Sequence, residues 1–214
     1  MGKMPSFYRQ SQNKPLATFS FNDILQGVGV LQVYGYHHQE DTTESYGMNT
    51  IKMFPNNQST GANTDGTSFS KRLDLDFDMV LGDSRRLKGT TRVNITIGTF
   101  ATGSAGTSGD CYAIVKIRKW DGSTETEIAN AQTEQVTYPV QTELFETKMI
   151  EIDTTTTTSF AKGDTLRVTV ELWGRRAGAS EREISIMHNP KDSDLPTGAK
   201  SSMLEIQLPF ELDI

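Results

Sequence analysis

The feature that most constrains the fold is a strict two-residue alternation near Thr165–Trp173. Leu166, Val168, Val170 and Leu172 point one way, and Arg167, Thr169 and Glu171 the other. Successive side chains alternate across a pleat, so this pattern describes a strand with one face buried and one wet. The same period recurs over Tyr112–Trp120, in Leu73, Leu75 and Phe77, in Val93, Ile95 and Ile97, and in Leu204, Ile206, Leu208 and Phe210. No stretch of helical length carries the apolar spacing of a helix face. The 27 threonines point the same way, because a β-branched side chain suits a pleated, half-wet surface better than a helix.

Turn chemistry divides these runs. Asp121-Gly122 accepts the positive φ angles of a tight hairpin, and Lys162-Gly163-Asp164 feeds the Thr165 strand. Asn56–Ser68 is read as a long exposed loop, His188–Pro196 as a proline-bounded loop, and Thr154–Thr158 as a loop or wet edge. About ten to twelve short strands result, and they predict an all-β chain folded as a two-sheet antiparallel β-sandwich with jelly-roll winding. Residues 1–15 are polar and aperiodic and read as an extended N-terminal arm, while 16–214 form a single sandwich domain.

Charge and cysteine content narrow the function. A net charge of -6 without a basic stripe argues against nucleic-acid binding. Cys111 stands alone, and neither a signal peptide nor a long apolar run is present, so we expect a chain made in a reducing cytoplasm and not embedded in a membrane.

The candidates for catalysis are His37, His38, His188, Cys111 and scattered carboxylates, and none sits in a motif that would position an acid, base or nucleophile. His37 and His38 fall on opposite faces of a strand and are expected as solvent histidines. Asp74, Asp76 and Asp78 share one strand face, too far apart for one calcium ion to reach all three, and are expected to face solvent or a partner. The expectation is therefore no enzymatic activity, no cofactor and no metal. Four aromatic residues stand out as interface candidates: Phe7 and Tyr8 as anchors of the arm, and Trp120 and Trp173 on the polar strand faces. Each tryptophan could instead cap the open end of the core or stack on a sugar.

The segments FNDILQGVGV, IVKIRKWDGSTETEIA, FAKGDTLRVTVELWG, IMHNPKD and the terminal PFELDI together resemble β-rich structural proteins of tailed bacteriophages, over most of the chain from Asn22 onward. The resemblance implies a virion component assembled in the host cytoplasm: a capsid decoration, minor capsid or head-fibre subunit. Such a subunit would self-associate into a homo-oligomer and dock on the major capsid protein or other virion proteins, and the resemblance brings no catalytic residues with it. The alternative is a glycan-binding adhesion module that uses Trp120 or Trp173.

Overall fold

The structure, a computed structural model, describes residues 17–18, 28–40, 43–51, 58–100, 108–140, 142–178, 180–188 and 204–211. The predicted arm, with Phe7 and Tyr8, lies outside them. Among the described residues there are thirteen strands and no helix, so the chain is all-β. In chain order they are β1 (Ala17–Thr18), β2 (Val28–Glu40), β3 (Thr43–Asn49), β4 (Gln58–Thr64), β5 (Ser70–Val80), β6 (Arg85–Thr99) and β7 (Gly109–Trp120). There follow β8 (Glu125–Gln132), β9 (Val136–Tyr138), β10 (Leu144–Phe160), β11 (Thr165–Arg176), β12 (Arg182–His188) and β13 (Leu204–Glu211).

Hydrogen bonding links all thirteen into one mixed sheet, in the order β4-β12-β6-β13-β2-β3-β5-β11-β7-β8, with β1, β10 and β9 attached to β2, β6 and β7. Where two separate sheets were expected, the path is continuous. Its two halves join through a parallel pairing of β3 with β5 at Gly47 and Asp78, and every other pairing is antiparallel.

β11 lies at the centre of one half, bonded to β5 on one side and β7 on the other. Its Leu166, Val168, Val170 and Leu172 are fully buried, as the alternation required. The opposite face departs from the half-wet reading, because Thr169 and Glu171 are buried too. A central strand has neighbours on both sides, and here their long side chains close over it. Arg167 grips Asp78 through two hydrogen bonds of 2.7 and 2.8 Å, Thr169 donates to Asp76, and Glu171 accepts from Lys116 at 2.7 Å. Asp76 and Asp78 thus serve as cross-strand partners of β11, and Asp74 pairs with Lys71. Burial pushes the Glu171 carboxyl up, but hydrogen bonds from Lys116 and Trp173 and the charges of Lys116 and Lys71 outweigh it and hold the group below its ordinary value.

The turns follow their residues. Gly122 adopts a φ of 96°, and the Asp121 carboxylate accepts from the backbone N–H groups of Ser123 and Thr124, which stabilises its charged form. Gly163 has a φ of 92°, and Asp164 accepts from the Ala161 N–H and pairs with Lys119. Thr154–Thr158 belong to β10, where its pairing with β6 shifts register. Of the neighbours on β10, Ile150 and Ile152 enter the core and Met149 is exposed. Cys111 is a buried free thiol that burial, with a smaller contribution from Asp110, pushes up to about 12.

Candidate functional site

Two strands of very different legibility build the site. β12 continues the alternation Ile184, Ile186 to His188, so the histidine takes the third position of a buried face and is fully enclosed. The loop reading of His188–Pro196 therefore fails at its first residue, which ends a strand. β4 has the sequence QSTGANT and lacks the apolar alternation of a strand, yet it pairs with β12 along its whole length, from Gln58 opposite His188 to Thr64 opposite Arg182. This corrects the reading of 56–68 as a single loop. Main-chain hydrogen bonds to a well-patterned neighbour override the weak local preference. Gly61 permits the approach, since a Cβ there would lie 2.5 Å from the Ser185 hydroxyl.

The sheet topology then brings distant segments together. β12 and β13 share one edge of β6 end to end, β12 against Thr96–Gly98 and β13 beginning against Ile95. β4 hangs on β12 and β2 hangs on β13, so the two meet at the seam. There His37 of β2 pairs with Tyr46 of β3, and their rings lie 4.8 Å apart. His188 meets both rings edge-on, at 5.7 Å from His37 and 6.0 Å from Tyr46. Phe77, fully buried, forms the floor at 5.4 Å from Tyr46 and 6.3 Å from His188.

Above this ring cluster opens a cleft of about 390 Å³ lined by His37, Glu44, Tyr46, Gln58, Ser59 and Thr60. Its polar atoms form a chain. Thr60 Oγ1 lies 2.8 Å from His188 Nε2 and 3.4 Å from the Tyr46 hydroxyl, which donates to Glu44 Oε2 at 3.4 Å. His37 Nδ1 lies 3.3 Å from Gln58 Oε1. Burial raises the Tyr46 hydroxyl above its ordinary value, with the hydrogen bond to Thr60 acting in the other direction.

The protons can run two ways along this chain. With Tyr46 donating to Glu44, Thr60 donates to Tyr46 and accepts from a protonated His188 Nε2. When Tyr46 instead donates to Thr60, the Thr60 hydroxyl donates to an unprotonated His188 Nε2, which is the relation of a hydroxyl to a general base.

His37 is therefore not the solvent histidine expected from its position, since Tyr46, Gln58 and His188 surround it; His38, its neighbour, is exposed. Sequence reasoning missed Thr60 and Tyr46 altogether. The continuation of the Ile184–Ile186 alternation into His188 was the available signal.

The two tryptophans are not brought together. Trp120 pairs with Thr165 at one end of β11, and Trp173 pairs with Tyr112 toward the other, roughly 25 Å along the strand at about 3.3 Å per residue. Both are half-buried. The Arg167 guanidinium lies 6.0 Å from the Trp120 ring, and Trp173 runs parallel to Tyr112 with centroids 6.2 Å apart while its Nε1 donates to Glu171.

The sequence matches no protein-family model and no curated protein. Solved structures share the fold. A CocE/NonD family hydrolase from Staphylococcus aureus superposes with a TM-score of 0.56 at 12% identity over 86% of this chain and 37% of its own. An aminopeptidase from a marine sediment Thaumarchaeota archaeon does so with a TM-score of 0.52 at 10% identity, over 84% of this chain and 36% of its own. A structure of infectious bursal disease virus reaches a TM-score of only 0.29 and lends no weight to a virion reading. The expectation of a non-enzymatic capsid subunit, and with it that of an adhesion module, is corrected by these likenesses. Threonine-rich alternation and Asp-Gly hairpins suit any extensive antiparallel sheet and cannot tell a virion component from a hydrolase. This chain spans little more than a third of the length of the hydrolases whose fold it shares.

Proposed function

We propose that this chain is a hydrolase-type β-domain that holds a small polar ligand in the cleft between β2, β3 and β4, against the Thr60–His188 pair. The observation that carries the reading is that His37, Glu44, Tyr46 and Thr60 line one open cleft, with the buried His188 in hydrogen-bond contact with Thr60 behind it. His188, 128 residues from Thr60 in sequence, reaches this place only through the fold. The cleft volume falls in the range of small-molecule sites, and a hydroxyl in hydrogen-bond contact with an imidazole is the arrangement that proton transfer needs. The likeness to hydrolases over part of their length supports the same class of function.

A mixed library of small cationic, anionic and neutral polar molecules, followed by backbone and imidazole NMR shifts, tests this. Saturable shifts should gather at Thr60, Tyr46 and His188, and disappear in Tyr46→Ala. Turnover of a panel of p-nitrophenyl esters and amino-acid p-nitroanilides, lost in Thr60→Val, would extend the reading from binding to catalysis. Shifts confined to other surfaces would overturn it.

A further inference from the structure

We infer that the cleft takes a primary ammonium group, held between the Glu44 carboxylate and the Tyr46 hydroxyl. The inference rests on the cleft being a ligand site and names the class of ligand. Among the described residues, Glu44 is the one acidic residue of the lining, and no lysine or arginine lines it. Glu44 is exposed at the rim, so a ligand can reach it without displacing a structural ion pair. Around it stand groups able to accept a hydrogen bond: the hydroxyls of Tyr46 and Thr60, and the amide oxygen of Gln58. An ammonium offers three N–H donors and no acceptor, which complements this set.

A carboxylate or phosphate placed there would meet Glu44 with no lysine or arginine among the described lining residues to offset it, and the chain's net charge of -6 adds to the bias.

Binding has a consequence within the site. Glu44 now accepts from the ligand, which relieves its claim on the Tyr46 proton; Tyr46 can then donate to Thr60 and Thr60 to His188 Nε2. Amine binding at the rim is thereby transmitted to the buried imidazole without any covalent step.

The test compares n-butylammonium, n-butanol and n-butyrate at equal concentration and low salt, read by NMR shifts at Tyr46, Thr60 and His188. Butylammonium should bind at least ~10-fold more tightly than the other two and weaken as salt rises, because an exposed ion pair is screened. Glu44→Gln should remove about 10-fold of that preference while leaving Tm unchanged, and Tyr46→Phe, which keeps the ring, should cost about 3-fold. Butanol or butyrate binding in the cleft as tightly as the amine would overturn the cationic class and leave the cleft standing as a ligand site. No shift at the cleft from any of the three probes would overturn both the inference and the ligand-site reading beneath it. An amine affinity unchanged in Glu44→Gln would place the cation elsewhere and overturn the inference alone.

Discussion

The outer face of β5–β11–β7 and the cleft at the β2–β4 seam both combine polar and aromatic side chains, yet they are built on opposite terms. On the outer face charged groups answer one another: Arg167 meets Asp78 directly across a strand pair, Glu171 meets Lys116 on the neighbouring strand, and Lys71 meets Asp74 along its own strand. Rings there run alongside ion pairs, as Trp173 does with Tyr112 and Glu171. The cleft also joins residues from strands that are not hydrogen-bonded neighbours, such as Tyr46 of β3 and Thr60 of β4, and it leaves the Glu44 carboxylate exposed at its rim. A face whose polar groups are mutually satisfied is a cover for the core. One whose polar groups converge on a void is equipped to meet something else.

The sharpest way to break this contrast is through the shared floor. Phe77→Ala should cost about 3–5 kcal/mol in chemical denaturation, by loss of burial and creation of a cavity. The same change should disperse the ring cluster and abolish ligand shifts at Thr60, while Trp173 fluorescence in the remaining folded protein stays native-like. A Trp173 signal that changes as strongly as the cleft would show that the two regions are one mechanical unit.

Removing one hydroxyl probes the cleft itself. Thr60→Val should destabilise by about 1–2 kcal/mol, the cost of taking a hydrogen-bond partner from a buried ring. Urea midpoints with an unchanged slope would check it. On the outer face, a double-mutant cycle on Arg167 and Asp78 should return a coupling of only about 0.2–1 kcal/mol, since both groups keep partial contact with water. A coupling larger than the Thr60 effect would reverse the ranking of the two regions.

Acid should act on the turns and the outer face. Hydrogen bonds and the Lys119 charge hold Asp164 below the ordinary carboxylate value, and Asp121 and Glu171 are also lowered. A carboxylate depressed in the folded state adds stability that is present above its unfolded value and lost as pH falls through the folded one. Tm should therefore decline as pH drops below about 4, where free carboxylates begin to protonate. Asp164→Asn should make that decline slightly shallower, the smallest effect of the series.

Much of the fold was written in alternation. Leu166–Leu172, Val93–Ile97 and Leu204–Phe210 reach the core because a period of two leaves one face to bury whatever the neighbours are. Asp121-Gly122 and Lys162-Gly163-Asp164 turn where expected, because the required φ angles belong to glycine. β4 was illegible for the complementary reason: Gln58–Thr64 has turn-like composition, and only the edge offered by β12 makes it a strand. Thr60 was lost with it, and His37 was taken for solvent because nothing local reveals that Tyr46 and His188 will enclose it.

By itself, then, the sequence determined an all-β chain, its principal strands, their buried faces and its hairpin turns, all consequences of local geometry. Tertiary structure alone decided that the described strands join in one sheet, ten along a continuous path and three attached to it, and that β12 and β13 share an edge of β6. It decided also that His37, Tyr46, Thr60 and His188 meet. The physical reason is that strand order is set by long-range pairing energies, and a side chain's pattern states which face it lies on but not which strand will lie beside it.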